Sequence, residues 1–440
     1  MKYKLSMFNY HLKYNNGEAT NSYVFNSLSR KLVKVNEYNN SLIDSLDESL
    51  IQPLSKIGII VEADCDEIEQ LETIITQKKY EQRRLMMTII PTNACNFRCI
   101  YCYQSENDCF MDESTKISLM KWLDKNLRFY NEMSLSWFGG EPLLCKDLIL
   151  EILKEVKMLC KKHKVAMISS ITTNGYLLNN DTFQKLVANG MLFYQITLDG
   201  NESIHNLQRP HKTESDSYTT IINNLEMISR LPRNIRFEVG LRINLSGLME
   251  RKEVYKFIDY IAQIFNTDKR FVIIWQWVRD WGGKRIQKYD VKKIVGESNA
   301  CIAYMEYAKN KGLKNVDLIS TTTGTDSCEA FFRNGYVINY DGNVYKCAMC
   351  IEDKKNNCIG YISKSGEMII DLSKERKWLK REYIEEKCKK CIYLPMCIMN
   401  RCHYSSKIHG KTKCIEYKDL IESQIISMIV QHKYLDIYRR

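Results

Sequence analysis

The sequence predicts an α/β protein built around a partial (β/α)6 barrel. Three observations carry this. Six short apolar runs, each followed by an amphipathic helical stretch, alternate along residues 85–315. The runs are almost continuously apolar, as strands of a parallel sheet buried on both faces are. The chemically distinctive residues fall at the ends of these runs, where α/β barrels place their chemistry. At about 150 residues per domain, 440 residues suggest roughly three domains, and three blocks emerge: 1–84, 85–315 and 316–440.

In the first block, YKLSMFNYHLKY, SYVFNSL and KLVKV alternate apolar and polar residues and read as a small antiparallel sheet. Two helical patterns follow, LIDSLDESLIQPLSKIG and DEIEQLETIITQKKYEQRR, with Asp64 and Asp66 as candidate N-caps of the second. Three strands and helices in this order resemble a winged helix-turn-helix. In the second block the strands are expected at 85–91, 133–139, 166–173, 192–198, 237–245 and 271–278. Six units make an open or partial barrel of TIM-like type, not a closed eightfold one. In the third block YVINYDGNVYKC is a hairpin signal, with Asp341-Gly342 between two alternating runs, and the stretch from Ile415 reads as a helix.

Composition narrows the class. Hydrophobic residues at 45% and charged residues at 27% are ordinary for a globular chain. The N-terminus has no apolar h-region and no cleavage site, and the longest apolar runs fall short of the ~20 residues of a membrane span. We therefore expect a cytoplasmic protein that does not enter a membrane. The net charge is +11, of which +7 sits in residues 371–440. No basic stripe with interleaved aromatics accompanies it, and block one is near −1, so no nucleic-acid partner is expected.

Cysteine is the outlier. There are 17, an odd number, and stable disulfides are disfavoured in a reducing compartment. Eleven fall in two groups: Cys95, Cys99 and Cys102, then Cys328, Cys347, Cys350, Cys388, Cys391, Cys397, Cys402 and Cys414. Such bunching points to metal. Three thiolates on one loop suit three corners of a four-iron cluster and leave one iron open; a structural zinc ion would want a fourth ligand nearby.

The run NACNFRCIYCYQ, with spacing Cys95-x3-Cys99-x2-Cys102 and Tyr101 before the last cysteine, resembles the signature of the radical S-adenosylmethionine (radical SAM) superfamily. Gly139, Gly140, Glu141 and Pro142 end the second strand, where that family has its SAM-methionine motif. The resemblance implies a [4Fe–4S] cluster whose open iron is chelated by SAM, and reductive cleavage of SAM to a 5′-deoxyadenosyl radical. It also implies that Tyr101, Gly139, Gly140, Glu141, Asn174 and Thr197 contact SAM, with Glu141 near its ammonium. GGEP alone would be no more than a tight turn into a helix with Pro142 at its first position. No catalytic base is assigned, and Asp199 is left as a polar residue near the barrel mouth.

The second group, Cys328-x13-Gly342-x4-Cys347 and then Cys388-x2-Cys391-x5-Cys397-x4-Cys402-x11-Cys414, resembles the SPASM domain of peptide-modifying radical SAM enzymes, which binds two auxiliary [4Fe–4S] clusters. The family spacing before the position of Cys402 is one residue shorter. By this resemblance Cys388, Cys391, Cys397 and Cys414 hold one cluster and Cys328, Cys347 and Cys402 the other. Position 334, an Asn, lacks the usual extra cysteine, so Cys350 or Cys358 fills that place or it stays open. A pair of zinc sites is the competing reading. Cys65, Cys109, Cys145, Cys160 and Cys301 are expected to be buried packing residues.

Block one looks like the leader-recognition element of ribosomal-peptide maturases, binding the leader of a precursor peptide as an added strand at residues 1–84. The resemblance thus implies a maturase that installs a thioether or carbon–carbon crosslink, with three [4Fe–4S] clusters and a reductant such as flavodoxin or ferredoxin. The alternative is an anaerobic sulfatase-maturing enzyme, which forms formylglycine; there an Asp follows the cysteine matching Cys347, whereas this chain has Ala348. A non-enzymatic peptide-binding scaffold would have no use for the GGEP and Thr173-Asn174-Gly175 strand ends.

Overall fold

The computed structural model describes residues 2–15, 17, 19–36, 38, 43, 46–105, 107–281, 283–290, 300–316, 328–380, 384–408, 410, 414 and 418–436. Its strands begin with β1 (Tyr3–Leu5), β2 (Asn9–Asn15), β3 (Thr20–Asn26), β4 (Leu32–Val35) and β5 (Ile60–Glu62). The central ones are β6 (Arg84–Ile90), β7 (Glu132–Trp137), β8 (Ala166–Thr173), β9 (Met191–Thr197), β10 (Glu238–Leu245), β11 (Phe271–Trp277) and β12 (Lys314–Asn315). The last are β13 (Gly335–Asn339), β14 (Asn343–Tyr345), β15 (Cys358–Ile362), β16 (Met368–Ile370) and β17 (Leu435–Asp436). The chain divides into two compact units, one holding residues 1–80 and 379–440, the other 81–316 and 328–378. Residues of the C-terminal block 316–440 thus belong to both.

In the larger unit β6 to β12 run parallel in chain order. The six expected strands are β6 to β11, each within two residues of its expected ends, and β8 matches end for end. β12, two residues long, was too short to leave a pattern. On its other side β6 pairs in parallel with β13, and β14, β15 and β16 add on antiparallel. The hairpin signal at Asp341-Gly342 is therefore the start of an extension of the barrel sheet. Gly342 has φ +76°, the left-handed turn conformation that favours glycine. Helices cover the sheet by the usual stripe. Lys146–His163 buries Ile149, Ile152, Leu153, Val156 and Cys160, a 3.6-residue period. It stops at Lys164, which is left-handed.

In the smaller unit β2, β3 and β4 form an antiparallel sheet, with β17 added in parallel on β4. The expected first strand splits, because β1 leaves to pair with β5. The break has a cause: the Glu67 carboxylate accepts from Ser6 Oγ and from the Met7 amide (2.9 Å), drawing the chain into a turn. Glu67 opens the helix Glu67–Lys79, capped by Asp66, whose carboxylate accepts from the Ile68 and Glu69 amides. The sheet is packed on both faces by the period of two. Tyr23 and Phe25 meet Ile421, Ile425 and Ile429 of the helix Lys418–Val430, while Val24 meets Leu54, Ile59 and Ile60. Among the described residues no helix is long and apolar enough to cross a membrane.

Asn26, 1% exposed, joins these pieces. Its Nδ2 donates to Gly58 O (2.7 Å) and Asn9 Oδ1 (2.9 Å), and its Oδ1 accepts from the amides of Leu28 (3.1 Å) and Ser29 (2.9 Å). Asn26→Ala strands these partners and is expected to cost about 2–4 kcal/mol. The check is a lower urea midpoint with an unchanged slope.

Candidate active site

A parallel sheet puts all its strand C-termini on one edge, and the residues singled out in the sequence collect there. β6 ends at Ile90 and hands the chain to the loop carrying Cys95, Cys99 and Cys102. Behind it lies the end of β7. The Gly140 amide donates to Thr92 O (3.1 Å) and the Glu141 amide to Ala94 O (2.8 Å). A Cβ on Gly139, at φ +131°, would stand 2.4 Å from Thr92 O, and one on Gly140 would stand 2.2 Å from Ala94 O. The close approach that the glycines permit is to the cysteine loop itself. Gly283 fits the loop from another side, where a Cβ would lie 2.5 Å from Cys102 O.

Glu141 is fully buried. Its carboxylate, which the sequence reading aimed at a ligand ammonium, takes three donors from the chain: the Leu143 amide (3.0 Å), Thr173 Oγ1 (2.7 Å) and the Asn174 amide (2.7 Å). It staples the end of β7 to that of β8. Burial pushes its pKa up, against the pull of those hydrogen bonds. Asn174 in turn donates from Nδ2 to Asn96 Oδ1 (2.8 Å), on the cysteine loop.

Tyr101 is held from below. Its hydroxyl donates to Asp199 Oδ2 and accepts from Arg209 Nη1 (2.9 Å) and Asn244 Nδ2 (3.1 Å). Asp199 Oδ1 accepts from the Asn244 amide (2.9 Å) and side chain (3.1 Å), and the Asp199 amide donates to His205 Nδ1 (3.2 Å). Asp199 is fully buried and Arg209 is 6% exposed. Burial raises the Asp199 pKa, and the Arg209 charge opposes it. Thr197 ends β9, two residues before Asp199, and is buried. The segment 208–212 lies along the loop as an added strand. The Arg98 amide donates to Pro210 O (2.7 Å), that of Ile100 to Gln208 O (2.9 Å), and that of Lys212 to Asn96 O (2.8 Å). The Arg209 guanidinium sits over the Phe97 ring at 5.5 Å. Arg209 Nε and both ends of the buried Gln208 amide find no hydrogen-bond partner among the described residues, so the loop's surroundings keep polar capacity to offer a ligand.

The loop thiols suit a metal cluster. Burial lifts Cys95 to about 12, with Cys99 and Glu141 adding to the shift, and lifts Cys99 to about 11 against the opposing charge of Arg209. Binding a metal at these thiols would release their protons. Among the described residues no three Cys, His, Asp or Glu side chains are grouped as around one ion. A four-iron cluster holds its cysteines on separate irons and needs no such grouping.

The later cysteines divide between the units. Cys328, Cys347, Cys350 and Cys358 belong to the larger one, and Cys388, Cys391, Cys397, Cys402 and Cys414 to the smaller. In the smaller unit the Cys391 amide donates to Cys388 O (2.9 Å), closing a turn, and Cys388 lies in the field of Cys414 and Cys391. In the larger unit the Tyr103 hydroxyl reaches Met349 Sδ (2.7 Å), and the Ser105 amide donates to Glu352 Oε1 (2.6 Å). These contacts lay the residues after Cys102 on the Cys347–Cys350 turn. Of the five expected packing cysteines, Cys160 and Cys301 are buried, while Cys65, Cys109 and Cys145 are only half-buried. Sequence reasoning missed His205, Arg209, Asn244 and the strand 208–212; each is an unremarkable residue until the sheet edge assembles it.

Residues 89–248 match the family model described as the radical SAM superfamily. The chain carries a radical SAM domain. It is 23% identical over 368 residues to a cysteine-type anaerobic sulfatase-maturating enzyme of Clostridium perfringens, spanning 77% of this chain and 95% of that one. The radical SAM fold extends beyond the matched segment. The structure is similar to that of anSMEcpe with bound AdoMet and Cp18Cys peptide, at TM-score 0.55 and 18% identity over 80% of this chain and 98% of the other. It is also similar to Streptococcus suis SuiB bound to S-adenosylmethionine, at TM-score 0.51 and 13% identity over 93% and 96%.

Because the Gly140 Cβ position is occupied by Ala94 O, Gly140→Ala must displace the stretch leading to Cys95. We expect this variant to lose the iron bound at Cys95, Cys99 and Cys102 while keeping its helical circular dichroism. Iron assay after anaerobic reconstitution checks it.

Proposed function

We propose that this protein is a radical SAM maturase of a ribosomally made precursor peptide, installing a thioether or carbon–carbon crosslink. The observation that carries the reading is the loop of Cys95, Cys99 and Cys102, backed by Gly139 and Gly140 at the C-terminal edge of a parallel sheet. Bound there, a [4Fe–4S] cluster and SAM supply a 5′-deoxyadenosyl radical that abstracts hydrogen from substrate. The chain's own residues hold the loop. Glu141 fixes two strand ends, Asn174 braces Asn96, and the Tyr101 hydroxyl is fixed by Asp199, Arg209 and Asn244. Tyr101, Gly139, Gly140, Glu141, Asn174 and Thr197 form the SAM side of this edge.

The peptide side rests on two supports. SuiB, whose structure bound to precursor peptide SuiA also shares this fold, covers 93% of the chain, too much to leave out residues 1–80. Within the smaller unit, β17 covers the β4 edge of the sheet, while the outer edge of β2 pairs with no strand among the described residues. Seven residues long, that edge offers a backbone ladder to a leader peptide. An auxiliary cluster that takes Cys328 and Cys347 in the larger unit, another at Cys388, Cys391, Cys397 and Cys414 in the smaller, a flavodoxin or ferredoxin reductant and a cytoplasmic location complete the reading.

A second reading is favoured by the sulfatase-maturating relatives, which match this chain over 77% of its length. It makes formylglycine the product. Ala348 in place of the Asp of that family counts against it.

Reconstituted protein given SAM and dithionite is expected to release 5′-deoxyadenosine and to hold about 12 irons, four per cluster. No 5′-deoxyadenosine would overturn the enzyme reading, and about four irons with zinc would overturn the auxiliary clusters. Mass spectrometry of a Cys-bearing precursor separates the products. A crosslink keeps the sulfur and loses two hydrogens; formylglycine loses the sulfur.

A further inference from the structure

We infer that Cys347 and Cys350 form one chelating turn that gives two ligands to the auxiliary cluster of the larger unit, with Asn357 as the positioning residue that holds the turn in shape. The inference rests on the reading of this chain as an iron–sulfur protein.

The sequence left Cys350 and Cys358 as rivals for a position that was otherwise vacant. Their surroundings separate them. Cys358 opens β15 and packs with Ile90, Val337, Tyr345 and Ile351, its thiol toward Gly360 O at 3.5 Å. It is half-buried against that core and lies outside the Ala348–Cys350 turn. Cys350 closes the 3-10 turn Ala348–Cys350, for which Cys347 is the N-cap. The turn thus carries a cysteine at each end, Cys347 where the chain enters it and Cys350 where it closes. Two cysteines with two residues between them are the usual bite of a thiolate-bound metal centre.

The turn is organised more firmly than packing requires. Asn357 is fully buried, and it spends its whole hydrogen-bonding capacity here. Nδ2 donates to Cys347 O (2.8 Å) and Cys350 O (2.8 Å), while Oδ1 accepts from the amides of Cys347 (2.9 Å) and Lys346 (3.2 Å). One amide thus fixes the backbone at both ends of the chelate. Lys346, also fully buried, sends its ammonium to Phe332 O (2.6 Å) and Gly335 O (2.7 Å), tying the turn to the segment that begins at Cys328. Added to the three ligands that the resemblance implies, Cys350 would complete four thiolates and leave no iron open to a substrate thiolate.

The test uses the full chain with Cys95, Cys99 and Cys102 replaced by Ala, so that only auxiliary iron remains. It is reconstituted anaerobically, reduced with dithionite and read by electron paramagnetic resonance with and without imidazole. The parent is expected to ignore imidazole. Cys350→Ala and the volume-matched Cys350→Ser are expected to shift the g-values and to become imidazole-sensitive. Cys358→Ala should match the parent, and Asn357→Leu should lose the iron of one cluster. A parent that responds to imidazole or holds no auxiliary iron would overturn the inference, as would Cys350 variants with the parent's spectrum. Failure of the underlying enzyme reading shows elsewhere, as absence of 5′-deoxyadenosine from the unsubstituted protein.

Discussion

The loop that carries Cys95, Cys99 and Cys102 has no helix or strand of its own to pair its backbone, and the rest of the barrel mouth is arranged around that need. Residues 91–102 have no helix or strand to absorb their amides and carbonyls, yet most of them are buried or half-buried, where an unpaired polar group costs about 1–3 kcal/mol. Every side contributes partners. The β7 end supplies the Gly140 and Glu141 amides, the 208–212 segment supplies alternating backbone bonds as an added strand would, and Thr92 Oγ1 bridges the Ala94 amide to Cys109 O at 2.9 and 2.6 Å. Glycine at 139 and 140 follows from this arrangement, since any side chain there would occupy the space of the carbonyls being bonded.

The same mouth holds charges that water does not reach. Asp199 and Glu141 are fully buried and Arg209 nearly so. A buried charge left without its partner costs about 3–5 kcal/mol, and here the two carboxylates are met by donors and Arg209 by the Tyr101 hydroxyl. Tyr101 mediates between Asp199 and Arg209, accepting from one side and donating to the other. The cluster loop is therefore attached to the barrel interior through a group that neither charge can release without exposing the other.

Much of this was legible in the sequence, and the reasons differ by element. The barrel strands announced themselves by recurring between amphipathic helical stretches, although β7, β8 and β10 are buried in alternation and not on both faces. The cysteine loop and the GGEP end stood out because their spacing is chemically narrow. The first strand was misjudged as one piece because its alternation slips by only one residue, at Met7-Phe8, before it resumes; the turn there is dictated by Glu67, sixty residues away in the chain. Arg209 and Asn244 carry no local signal at all. Their roles arise when the segment 208–212 and β10 bring them under Tyr101, contacts that span 108 and 143 positions of the chain. In the C-terminal block the sequence pattern and the compact units divide differently. Its cysteines form one sequence pattern, yet the chain spends them in two units, because β13 to β16 gain more by extending the barrel sheet than by folding alone, while Ile421, Ile425 and Ile429 find their apolar partners on β3 and β4.

The two cysteine loops of the larger unit are shaped by different means, and the difference follows from where they sit. The first lies across the strand ends of a parallel sheet, so neighbouring backbones stand ready to pair with it, and glycine is the residue that lets them come close. The Cys347–Cys350 turn leaves an antiparallel hairpin whose strands already bond to each other, so no ladder is available to it. A side chain must do the work, and Asn is the residue with two donors and two acceptor sites in the span of one amide. Met349, between the two cysteines, meets Tyr103, the residue after Cys102. Two sulfur sites with separate supports are thus joined by a single aromatic ring, and any shift of the turn bears directly on the loop that holds the first cluster.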